Sequence, residues 1–116
     1  MHENPGKIEK EQVERFKTKE DRLEAAQKFI QSLDPPPLHW KLSGSTESGE
    51  FEPDSDIDVI ALYEKDEDIP YDDIFKRMHP NGLFDGHIDF HYFSKNWGVY
   101  QHDPELLKQL EESFED

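Results

Sequence analysis

Apolar residues in this chain recur in short, separated bursts, and their spacing predicts the elements. Leu23, Ala26, Phe29, Ile30 and Leu33 repeat at helical intervals from Asp21 onward, which predicts an amphipathic helix with one buried stripe. Asp34 followed by Pro35, Pro36 and Pro37 ends it, because each proline removes a donor and restricts the residue before it. Leu38 to Ser43 alternates as a strand, and Gly44 to Ser55 reads as a polar loop. Ile57 to Tyr63 is almost continuously apolar, as expected of a strand covered on both faces. Tyr71, Ile74, Phe75 and Met78 mark a short helix closed by Pro80, Asn81 and Gly82. After the Asp85-Gly86 turn, His87 to Phe93 forms a third strand. Asp103 before Pro104 is a helix N-cap, with Leu106, Leu107, Leu110 and Phe114 as the stripe of a C-terminal helix. Upstream, Lys7 to Lys19 mixes charges with only Ile8, Val13 and Phe16, a marginal helix or frayed arm. The expected architecture is α/β (α+β): an arm over residues 1–20 and one domain over 21–116, with helices flanking a small sheet.

Composition narrows the class. Leu, Ile, Val and Phe make up about 23% of the 116 residues, enough for a small core and little more. No apolar run approaches a membrane span, no cysteine is present, and the N-terminus lacks a signal peptide's apolar stretch. A cytoplasmic protein without membrane contact is expected. Residues 1–33 balance 7 basic against 7 acidic side chains, whereas 34–116 hold 6 against 21 and so carry the whole net charge of −15. That surface repels phosphate backbones and argues against direct nucleic-acid binding.

Three clusters carry candidate chemistry. Gly44-Ser45 follows a strand, where glycine admits close approach of a phosphate and successive N–H groups donate to it. Asp56 and Asp58 alternate with Ile57 at the head of the most apolar strand, two like charges that a hard divalent cation would reconcile. A solvated acidic turn is the plain alternative. An EF-hand is excluded, since Val59 and Lys65 stand where its glycine and glutamate belong. His87, Asp89 and His91 share a strand face, which leaves either a transition-metal site or neutral sheet-face histidines open.

Together these clusters are specific. The stretch GSTESGEFEPDSDIDV, with Gly44-Ser45, ten residues, then Asp56-x-Asp58, and Asp89 on the next strand, resembles the signature of the polymerase-β-like nucleotidyltransferase superfamily. It is most similar to the minimal single-domain members, the resemblance spans Leu38 to about Phe93, and it implies a small mixed sheet whose first two strands are joined by the glycine-serine turn. It implies that Asp56, Asp58 and Asp89 are catalytic and hold Mg2+ (or Mn2+), with Asp89 assisting deprotonation of the acceptor. It implies further that Gly44 and Ser45 bind the phosphates of a nucleoside triphosphate, ATP in the first instance. Nucleoside monophosphate would pass to a hydroxyl of a protein or small molecule, possible partners being the HEPN-type helical proteins that some such members modify as antitoxins. The competing expectation is a catalytically weak module that only binds nucleotide or partner. One departure favours it: minimal members often carry arginine just before the second glycine, where this chain has Ser48 before Gly49, leaving Lys41 and Lys95 as candidate substitutes.

Overall fold

Strand β2 (Ile57–Tyr63) is the axis of the molecule, whose computed structural model describes residues 7–115. It pairs antiparallel with β1 (His39–Leu42) and parallel with β3 (Ile88–Ser94), giving a mixed sheet in the order β1-β2-β3. The parallel pairing requires a crossover, which the short helix α3 (Tyr71–Lys76) supplies. Residues 1–6 of the expected arm and Asp116 lie outside the described residues; the remainder of that segment forms a 3-10 helix over Lys10–Phe16 and buries Ile8 and Phe16 in the core. No helix among the described residues is long and apolar enough to cross a membrane.

The core lies between one sheet face and helix α1 (Lys19–Gln31). Ile57, Val59 and Ala61 of β2 and Ile88 and Phe90 of β3 supply the sheet side, and Phe29 meets Phe90 edge-on at 5.1 Å. The buried stripe of α1 keeps the expected Ala26, Phe29 and Ile30, with Leu33 buried just past the helix end, but Arg22 and Ala25 join it in place of Leu23. Leu23 is 40% exposed and Arg22 is fully buried. Arg22, Ala26 and Phe29 are spaced at four and three residues, so the helix period carries the guanidinium inward and the leucine, one position further round, outward.

The opposite sheet face is only partly covered, which corrects the expectation of a strand enclosed on both sides. Leu62 is fully buried there, but Asp58 and Ile60 keep partial access to water. Helices α4 (Gly98–His102) and α5 (Pro104–Glu112) lead to the residues that cover this face. Phe114 stacks on His39 at 5.8 Å, and Lys41 Nζ donates to the Ser113 carbonyl. Asp103 caps α5 as the sequence predicts, accepting from the Leu106 amide. No residue of α5 is buried, however, so Leu106, Leu107 and Leu110 form a stripe along the rim and not one sunk in the core.

The expected polar loop after β1 also holds an element the sequence does not announce. Helix α2 (Gly44–Ser48) is a single turn that ends on Gly49, whose φ of 83° lets its N–H turn back to the Ser45 carbonyl. Thr46, fully buried, pins this turn against the head of β2.

Candidate functional site

The open half of the sheet face is where the acidic residues converge. Parallel register sets Asp58 of β2 directly beside Asp89 of β3, and Asp56 sits just ahead of β2. Burial acts first on Asp56, then the Asp58 charge and a hydrogen bond to Asp89; together they push its carboxyl up to about 6. Asp58 is raised as well, chiefly by burial and then by Asp89, while His91 and Arg22 pull it back. Three half-buried carboxylates are thus held within mutual reach. The cause is topological, since strand pairing brings Asp58 and Asp89 together whatever their charges.

Gly44 closes one side of the cluster. Its φ is 59°, in the left-handed region, and a Cβ built there would lie 2.8 Å from Asp58 Oδ2. Glycine is needed at this position for backbone conformation and for clearance of the carboxylate alike. Ser45 follows in the first turn of α2, and Ser43 at the N-cap makes no side-chain hydrogen bond to that turn. The leading amides of α2 therefore lack the side-chain acceptor that usually satisfies them.

Two residues that sequence reasoning does not single out set the geometry. Thr46 Oγ1 donates to the Asp56 carbonyl at 3.2 Å and accepts from the Asp58 amide at 3.3 Å, bridging the backbone of both acids. Arg22 reaches the same segment from beneath, donating to the carbonyls of Phe16, Glu52, Pro53 and Asp56 at 2.8 to 3.3 Å. The Phe51 ring lies 3.9 Å from its guanidinium. Burial lowers the pKa of Arg22, opposed by the charges of Asp56, Asp58 and Asp54. Its spacing of four residues from Ala26 is the only sequence signal for its burial.

The three residues His87, Asp89 and His91 do not share one site. Strand β3 begins at Ile88, so the alternation that links Asp89 to His91 does not extend back to His87. His87 instead stacks on Phe16 at 4.6 Å, bonds Gln12, and has its pKa lowered by burial. His91 stays with the acids, its Nε2 3.1 Å from Asp89 Oδ2. Donor atoms of Asp58, Asp89 and His91 all lie within 4.8 Å of one another, a donor set suited to a divalent cation.

The lysines are engaged elsewhere. Lys41 bonds Ser113, and Lys95 lies 3.1 Å from Glu111 and 3.7 Å from Glu64. Lys19 Nζ donates to the Glu47 carbonyl, which brings a cation to the end of α2 beside Ser48. A cavity of about 280 Å³ among α1, the 3-10 helix and the approach to β3 contains none of the three acids in its lining.

A mixed sheet in which a glycine turn meets the acid-bearing strand is the polymerase-β-like nucleotidyltransferase fold. The chain belongs to that family: the family model described as nucleotidyltransferase domain matches residues 23–114. No curated protein and no solved structure matches the chain.

Proposed function

We propose that the protein is a metal-dependent nucleotidyltransferase that moves a nucleoside monophosphate, AMP from ATP, onto a hydroxyl of a partner protein. The observation that carries this reading is the crowding of Asp56, Asp58 and Asp89 on the open face of the sheet, with Gly44 against Asp58. Asp56 and Asp58, raised first by burial and then by their acidic neighbours, stand beside Asp89 in a cluster suited to Mg2+ or Mn2+, and Asp56, Asp58 and Asp89 would hold it. Bound there, the cation would neutralise phosphate charge and stabilise the pyrophosphate leaving group.

The chain's own groups supply the rest. Gly44 and Ser45 receive the outer phosphates at the start of α2, where backbone can approach without a side chain. Asp89 takes the proton of the acceptor hydroxyl as its oxygen attacks the α-phosphorus. The bond from that phosphorus to the β-phosphate oxygen breaks, and pyrophosphate carries away the electron pair. A HEPN-type helical protein is the acceptor the family resemblance suggests, and an antitoxin role would follow from modifying it.

A second reading, a module that binds nucleotide or partner without transfer, draws on Ser48 and on the absence of basic residues from Glu47 to Glu52. Incubation of the partner with labelled ATP and magnesium or manganese separates the two. Wild type is expected to add the mass of one AMP to the partner, and Asp89→Asn to add none. Neutralisation of the partner by both proteins with no mass change would overturn the enzymatic reading.

A further inference from the structure

We propose that His91 is a nitrogen ligand in the same metal site, and that it tilts the site toward manganese over magnesium. The inference rests on the reading of Asp58 and Asp89 as metal ligands and goes beyond it by adding a fourth residue and a preference. His91 follows Asp89 by two positions within β3, so both side chains leave the strand on one face. Its Nε2 is 3.1 Å from Asp89 Oδ2, and one donor atom from each of Asp58, Asp89 and His91 lies within 4.8 Å of the other two. Two donors bonded at about 2.1 Å and at right angles around one ion stand roughly 3 Å apart. The His91–Asp89 spacing is therefore that of adjacent ligands on an octahedral cation.

Donor chemistry then sets the preference. Magnesium is a hard ion that favours oxygen ligands and keeps its water reluctantly exchanged, so an imidazole adds little to its binding. Later divalent metals accept imidazole nitrogen readily, and affinity for mixed nitrogen and oxygen sites rises from manganese onward along the first row. Half of the His91 side chain is exposed, so it can turn onto an ion without disturbing the core.

Binding of manganese to the nucleotide-free protein, followed by titration calorimetry and by pulsed electron paramagnetic resonance, tests this apart from activity. Wild type is expected to show nitrogen-14 modulation of the bound manganese signal, and His91→Ala to lose it. Manganese affinity should fall about tenfold in His91→Ala while magnesium affinity changes less than about twofold. His91→Gln, which restores an oxygen donor, should keep magnesium binding and still lack the nitrogen signal. Manganese bound to wild type without nitrogen modulation, or modulation that survives in His91→Ala, would overturn the role of His91 and leave the three-acid reading standing. Failure of wild type and Asp58→Asn alike to bind either metal would overturn both.

Discussion

The raised carboxyl of Asp56 makes the stability of the metal-free protein depend on pH in an unusual direction. A carboxyl whose pKa is higher in the folded than in the unfolded chain binds its proton more tightly when folded. Its contribution is fully present below the ordinary value of 3.8 and is lost as pH rises through about 6. The difference between those values corresponds to about 3 kcal/mol. Asp56 keeps part of its surface in water, and screening there reduces the figure to about 1–2 kcal/mol. For a domain of this size that is roughly 4–8 °C in melting temperature. Thermal unfolding followed by circular dichroism in the presence of a chelator should show wild type losing this increment between about pH 4 and about pH 7. Asp56→Asn, which cannot ionise, should lack the increment and melt higher than wild type at neutral pH. Millimolar magnesium or manganese should remove the difference for wild type, since a bound cation stabilises the charged form. Metal-free curves for the two proteins that run parallel from about pH 4.5 to about pH 7 would refute the reasoning.

Two further perturbations probe the frame around the acids. Arg22→Met removes four donated hydrogen bonds to carbonyls and should cost about 3 kcal/mol, near 10 °C in melting temperature; urea unfolding midpoints for the two proteins check it, and equal midpoints would discount the clamp. Gly44→Ala places a Cβ 2.8 Å from Asp58 Oδ2 at a positive φ, and the carboxylate can relieve the clash by swinging away. Calorimetry should therefore find weaker metal binding with a stability loss of only about 1–2 kcal/mol, and unchanged metal affinity would show that the close approach has no consequence for the site.

Much of this site could be read from the chain because strand alternation and strand pairing act locally. The bounds of β2 follow from an apolar run between an acidic turn and a charged one, and Asp56-x-Asp58 heads that run by sequence alone. The partnership with Asp89 came from the family resemblance, which sets the third acid on the next core strand, and the parallel register of β2 and β3 places Asp58 and Asp89 side by side. What escaped was set by tertiary context. Arg22 looks like one more charge on a charged helix, and only the carbonyls of Glu52, Pro53 and Asp56, some thirty residues away, explain its burial. Thr46 sits in a polar stretch whose single helical turn is stabilised by contact with β2 and not by helix propensity. His87 was grouped with His91 by parity, a rule that ends where β3 does. The leucines of α5 have the period of a buried stripe, yet the three-stranded sheet is too narrow to receive them all.

The placement of Arg22 bears on why the acids remain available to an added cation. A buried guanidinium close to three carboxylates would ordinarily pair with one of them and lower its pKa. Here all of its bonded partners are main-chain carbonyls. Its charge reaches Asp56 and Asp58 through space, enough to moderate their repulsion, but it donates no hydrogen bond to either carboxylate. Burial and the neighbouring acids accordingly still push the Asp56 carboxyl up to about 6 despite a nearby permanent cation. Thr46 acts in the same manner, fixing the backbone of Asp56 and Asp58 while leaving their side-chain oxygens alone. The scaffold thus holds the acids through their main chain and leaves their carboxylates to bind something exchangeable. That division of labour suits the proposed uptake and release of a metal–nucleotide complex. A purely structural acidic cluster would instead be stabilised by turning Arg22 onto it.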